Sequence, residues 1–141
     1  IGLALTSSVI QTHPYTFARQ LSTLDHLTGG RVGWNVVTSA LENSHRNYGG
    51  AELAQHGDRY DLAEEYLEVC YKLWEGSWDD DALLADKTRE HDRGTGLHAD
   101  PDKVAKIHHK STNYRVEGPH LSSPSPQRTP LLFQAGSSPR P

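Results

Sequence analysis

Three apolar runs in this chain end in small polar residues: Thr6-Ser7-Ser8, Asn35-Val36-Val37-Thr38-Ser39 and Ala135-Gly136-Ser137-Ser138. Hydroxyls and free backbone amides at strand ends are neutral donors, suited to a phosphate or to a planar polar ring. In parallel α/β proteins such ends gather on one face, where ligands bind. Any one of them is accounted for by capping of the next helix; three in succession weaken that account. His56 and Tyr60 lie four residues apart at the entry to a long helix, so both side chains could point the same way. Taken alone, such a pair is more often packing than chemistry.

Other chemistries find less support. His13, His26, His45, His91, His98 and His120 are scattered, His108-His109 fall in a polar stretch, and no HxH or HExxH spacing occurs, so no metal site is expected. Cys70 falls mid-helix on the apolar face and reads as filler rather than nucleophile. Asp79-Asp80-Asp81 does not match a calcium loop. No GxSxG, P-loop or GxGxxG is present, which removes the main sequence support for a serine hydrolase, a nucleoside triphosphatase or a Rossmann enzyme. A cofactor held by hydroxyls and amides is what remains, and no catalytic residue is assigned.

The elements that would position these groups alternate. Residues 1–6 form a strand-length apolar run. Thr12 is a candidate N-cap, Pro14 sits near the first helical position, and Phe17, Ala18, Leu21 and Leu24 follow at helical spacing until Gly29-Gly30 ends the helix. Arg31 to Val37 is the next strand, and Gly33 allows close backbone approach. A helix from about Asp58 to Glu75 aligns Tyr60, Ala63, Leu67, Cys70 and Trp74 on one face. Trp34 and Trp74 read as core. Residues 79–112 are polar and read as a surface excursion, with a short strand at 113–117, a Pro-rich connector at 122–130 and a buried strand at 131–135. Strand, helix, strand, helix, insert, strand argues an α/β fold with a parallel sheet and crossover helices.

At 141 residues, 35% apolar, the chain is one domain's worth at most. It contains no Met, opens inside one strand and closes after another, so the expectation is an internal fragment. A net charge of −4 offers no basic footprint for nucleic acid or an anionic membrane. No apolar run approaches the roughly 18 residues of a membrane span. The single cysteine suits a reducing, cytoplasmic setting.

The runs HPYTFARQLSTLDHLTGGRVGWNVVTS (13–39), RYDLAEEYLEVCYKLWEGSWDDDA (59–82), GLHADPDKVAKIHHKSTNYRVEGPHL (96–121) and SPQRTPLLFQAGSS (125–138) resemble, in order, successive blocks of the bacterial-luciferase-like flavin monooxygenases, in the branch containing nitrilotriacetate monooxygenase. The resemblance implies a partial (β/α)8 TIM barrel. Residues 1–141 would be one incomplete domain supplying roughly strands three to five, with 79–130 inserted before the last strand. It further implies reduced FMN (FMNH₂) delivered by a separate flavin reductase, and O₂ used through a flavin C4a-hydroperoxide to oxygenate a small organic substrate. A homo-oligomeric parent is implied as well. Thr6, Asn35, Thr38, His56, Tyr60, Ser137 and Ser138 match the family's flavin-contacting positions; an acidic flavin contact would lie upstream of this chain. Residues 43–55 match only loosely. Two alternatives stand beside this reading: a deazaflavin-dependent barrel oxidoreductase, and a truncated, inactive remnant.

Overall fold

The computed structural model describes residues 1–38, 46–47, 49, 56–84 and 98–135. In chain order they form β1 (Leu3–Ser8), α1 (Pro14–Thr28), β2 (Val32–Val37), α2 (His56–Gly76), a 3₁₀ turn at Pro101–Lys103, β3 (His109–Lys110), β4 (Arg115–Val116) and β5 (Leu131–Phe133). The expected alternation is present, and the main sheet is parallel in the order β1-β2-β5. β1 runs two residues later than expected. The predicted strand at 113–117 is shorter and pairs antiparallel with β3, as a small separate hairpin.

Alternation along β2 divides the sheet into two faces. Val32, Trp34 and Val36 point to the helices and are buried, and Trp34 is wholly inaccessible. Its ring lies 4.5 Å from Phe17 of α1 and 6.0 Å from Tyr66 of α2. Its indole N–H donates to the Ser7 carbonyl at 3.0 Å, so the large ring is buried without an orphaned polar atom. Trp74 is also core, as predicted, and its N–H donates to the Ala18 carbonyl.

α1 begins with Pro14 inside its first turn and ends where Gly29 adopts the left-handed conformation, φ 61°. The N-cap is His13 rather than Thr12; its Nδ1 accepts from the Tyr15 amide at 3.3 Å. The buried stripe runs Phe17, Ala18, Leu21, Ser22, Asp25, leaving Leu24 39% exposed. Helical pitch brings Asp25 inward, and a distant partner makes its burial tolerable. The Gln127 amide N–H donates to Asp25 Oδ2 at 2.8 Å, and Gln127 Nε2 donates to Asp25 Oδ1 at 2.6 Å and to the Val32 carbonyl at 2.9 Å.

α2 starts two residues ahead of the expected Asp58. Ala63, Tyr66, Val69, Cys70, Leu73 and Trp74 form its buried face, whereas Leu67 is only partly covered. The expected stripe was centred one row off. Cys70 Sγ reaches the Pro14 carbonyl and Trp74 the Ala18 carbonyl, so α1 and α2 run side by side in the same direction. At the far end of α2, Glu75 Oε1 accepts from the Thr129 amide at 3.0 Å. Arg128 Nη1 donates to the carbonyls of Trp74 and Trp78, a cation placed at the negative end of the helix dipole. α2 therefore ends where β5 is about to begin, antiparallel to the strands, as a crossover helix should.

Among the described residues after α2, most of the stretch expected on the surface is exposed, and it is tethered at several points. Ala82, His109, Val116 and His120 are buried, and isolated bridges join Trp78 to Val104 and Leu83 to Ala99. Glu65 Oε2 accepts from the Asn113 amide (2.9 Å), Asn113 Nδ2 (3.0 Å) and Ser111 Oγ (2.9 Å), binding the β3–β4 hairpin to α2. The Asn113 amide foremost holds the Glu65 carboxyl below the usual carboxylate range. His120 Nε2 meets Ser22 Oγ at 2.9 Å, the His120 amide donates to Ser77 Oγ, and its carbonyl accepts from the Trp78 indole.

Two outcomes follow from these tethers. Asp25→Ala strips both donors of Gln127 of their carboxylate and should lower unfolding free energy by about 2–3 kcal/mol in urea denaturation; a loss under ~1 kcal/mol contradicts the clamp. Burial, with repulsion from Arg19, lowers the His120 pKa from 6.5 to about 4, so the folded state holds the neutral ring. Its contribution is fully present above pH 6.5 and is lost as the pH falls towards about 4. Melting temperature should fall across that window, and His120→Gln should flatten the fall.

Candidate functional site

The face of the sheet opposite Trp34 carries the candidate chemistry. Register pairs Ala4 with Gly33 and Leu131 in one row, and Thr6 with Asn35 and Phe133 in the next. Asn35 Nδ2 donates to Thr6 Oγ1 at 3.2 Å. Among the described residues, that bond leaves the Thr6 hydroxyl proton, the second Asn35 N–H and the Asn35 side-chain carbonyl oxygen without a further partner. Thr6 is exposed and Asn35 half-buried, so both are accessible.

Phe133 completes the row. Its ring folds back over Gly33: a Cβ built at Gly33 would stand 2.6 Å from Phe133 Cε2 and 3.1 Å from the Leu131 carbonyl oxygen. Below the row, towards the amino ends of the strands, Ala4, Gly33, Leu131 and Phe133 line a hollow of about 430 Å³ together with Ile1, Arg31 and Gln127. Sequence reasoning noted Gly33 but missed Phe133, although its two-residue spacing from Leu131 already puts both on one face.

Of the remaining expected residues, Thr38, His56 and Tyr60 lie towards one end of the sheet. Thr38 follows directly on β2 and is half-buried. Tyr60, half-buried, sits in the opening turns of α2, ten residues before Cys70, which amounts to about 15 Å of helix beyond the contact with Pro14. His56 is the first residue of α2. Because α2 runs against the strands, both lie towards the carboxyl ends of β1 and β2. Ser137 and Ser138 lie outside the described residues, as does Ser39. Thr6 and Asn35 are thus in contact, Thr38, His56 and Tyr60 share their edge, and the final pair is not described.

A flavin ring fits what is present. The donors are neutral, no charged side chain stands in the Thr6–Asn35–Phe133 row, and the row joins a polar half to an aromatic half. Among the described residues no group of three or more His, Cys, Asp or Glu side chains could hold a metal ion, and no helix is long and apolar enough to cross a membrane. Cys70 lies fully buried on the far side of the sheet, and desolvation pushes its thiol well above the ordinary value.

Three parallel strands with crossover helices define a β/α segment, and comparison with known proteins gives its family. Residues 1–140 match the Luciferase-like monooxygenase family. This chain belongs to that family. It is 51% identical over 140 residues to the long-chain alkane monooxygenase of Geobacillus thermodenitrificans, covering 99% of this chain and 30% of that protein. Against the dimethyl-sulfide monooxygenase of Hyphomicrobium sulfonivorans the identity is 49%, covering 99% and 28%. Among solved structures, long-chain alkane monooxygenase superposes with a TM-score of 0.90 at 52% identity, covering 99% and 31%. A riboflavin lyase solved with modified FMN and riboflavin gives 0.88 at 48%, covering 99% and 30%. The chain thus spans about 30% of the length of these relatives.

Since Cys70 faces the core and not the row, a thiol reagent such as DTNB should leave the native protein unmodified and react with one thiol only after unfolding. Rapid reaction without denaturant would place Cys70 in an accessible site instead.

Proposed function

We propose that the chain is part of an FMNH₂-dependent monooxygenase that oxygenates a small organic substrate with O₂, the reduced flavin arriving from a separate reductase. The observation that carries this reading is the Thr6–Asn35 contact, set on the sheet face opposite the Trp34 core and level with Phe133. Family membership and the FMN-containing riboflavin lyase support it. Residues 1–141 then form one incomplete barrel domain, roughly strands three to five, with 79–130 inserted and the remainder of the barrel supplied by the parent protein. A cytoplasmic, homo-oligomeric parent goes with this reading.

In this reading Thr6 and Asn35 meet the polar edge of the isoalloxazine, with Thr38 beside them. His56 and Tyr60 close the site from the start of α2, and the Ser137–Ser138 turn takes the phosphate. When bound, the reduced flavin supplies the electrons that activate O₂. The chain's own task is to hold the ring, orient its polar edge and keep bulk water away. Neutral donors suit this task, because a buried charge beside the ring would need a partner that the row does not offer.

A ligand of the native state raises stability by mass action, by about 2.7 kcal/mol at a hundred times Kd. Thermal melting of the protein with FMN should show an upward shift that Asn35→Leu removes without lowering the FMN-free melting temperature by more than a few degrees. In the parent enzyme, His56→Ala and Tyr60→Phe should weaken reductase-coupled turnover while leaving the circular dichroism spectrum unchanged. No FMN shift in the wild-type chain together with unaltered turnover in both variants would refute the assignment.

A further inference from the structure

The β3–β4 hairpin breaks two local rules at one place. The Ile107 and His108 amides both donate to the Glu117 carbonyl, at 2.9 and 3.1 Å, so two residues oppose one in a bulge. His108 takes the left-handed conformation there, φ 46°, which ordinarily falls to Gly or Asn. Two residues on, Lys110 stands directly opposite Arg115. The Ser111 amide donates to the Tyr114 carbonyl at 2.9 Å, which makes Lys110 and Arg115 a non-hydrogen-bonded pair. Such pairs are the closer kind, with Cα atoms about 4.5 Å apart. Like charges placed so are destabilising.

The nearby carboxylates are engaged elsewhere. Glu117 is drawn to Lys106 Nζ at 2.6 Å, Glu68 to Lys72 Nζ at 2.7 Å, and Glu65 to Ser111 and Asn113. Among the described residues neither Lys110 nor Arg115 has a carboxylate partner, and both are exposed. Their strand neighbours His109 and Val116 are buried on the other face of the hairpin, where His109 meets Lys72 of α2. The two cations therefore point outward, and with His108 and Glu117 they line a hollow of about 290 Å³. We propose that His108, Lys110 and Arg115 form a binding site for a phosphate group, free or carried as a monoester.

A phosphate dianion removes the cost of the pair. Seated between the two cations, it replaces their repulsion with charge-assisted hydrogen bonds. The Arg115 fork can take two oxygens, Lys110 supplies a point charge, and the His108 ring carries an N–H donor in either protonation state. Glu117 lines the same hollow, but its charge is met by Lys106. This site lies apart from the row on the sheet. The hairpin is tied to α2 through Glu65, on the helix side, whereas Thr6 and Asn35 occupy the opposite face.

The test titrates the ¹⁵N-labelled chain with inorganic phosphate, and separately with phenyl phosphate, at fixed ionic strength. The Arg115 Nε–H signal should shift and saturate. Tighter binding of either probe identifies the free anion or the ester as the better ligand. Lys110→Gln and Arg115→Gln should each weaken binding about tenfold or more, and His108→Gly should weaken it while relaxing the backbone. In phosphate-free chloride buffer, Lys110→Gln should also raise the melting temperature, by about 1–4 °C, because the like-charge pair is gone. Loss of binding joined to a gain in stability is a signature that ordinary solvated cations do not give. Asn35→Leu should leave phosphate binding intact. The proposal is overturned if Arg115 shows no saturable shift, if both glutamine variants bind as the wild type does, or if Asn35→Leu abolishes binding.

Discussion

The parallel register through Gly33, Trp34 and Asn35 is the constraint on which the rest depends. Side chains alternate across a strand, so committing Trp34 to the helix-facing core commits its two neighbours to the opposite face. Phe17 and Tyr66 hold the Trp34 ring, and the Ser7 carbonyl takes its N–H. A slip of one residue would bury Asn35 without partners and expose the indole. Because β1 and β5 pair to β2 in this register, Thr6 and Phe133 are placed beside Asn35.

The two ends of the sheet do different work. At the amino ends of the strands, polar groups are paired to one another. Asp25 with Gln127, Arg128 with the α2 carbonyls and Glu75 with Thr129 fix the approach to β5. At the carboxyl ends, Thr6 and Asn35 keep hydrogen-bonding capacity that their mutual contact does not use. The segment after α2 acts as a strut across the outside of the helices, tied down at Glu65, Ser77 and Ser22. Rigid pairing at one end and spare donors at the other is the arrangement expected where strand ends carry ligand chemistry.

Much of this could be read from the sequence, because the signals are local. GRVGWNVV displays its period of two, Gly29-Gly30 its left-handed cap, and residues 58–75 their helical stripe. What escaped notice was long-range. Asp25 looks like a surface residue until Gln127, far along the chain, is brought to it. His120 looks like one histidine among many until Ser22 and Ser77 enclose it. Leu24 satisfied the spacing rule and still faces outward, since Asp25 has its place inside. For the candidate site, Thr6, Asn35 and Thr38 were singled out by the small polar residues towards the end of each strand, and the structure brings Thr6 and Asn35 into contact. Phe133 was not, because an aromatic residue in a short apolar run gives no local sign of which face it takes. The burial of Val116 and His109 within a polar stretch was likewise invisible to composition.

The account is tested most directly by following side-chain N–H signals in a ¹⁵N-labelled sample by NMR during titration with FMN. The Asn35 carboxamide should shift progressively and saturate. The Gln127 carboxamide, locked to Asp25 and Val32 at the other end of the sheet, and the Trp74 indole, bonded to Ala18 behind it, should stay in place. Movement of Gln127 or Trp74 with Asn35 unmoved would contradict the account, because the ligand would then occupy the wrong end or the wrong face of the sheet.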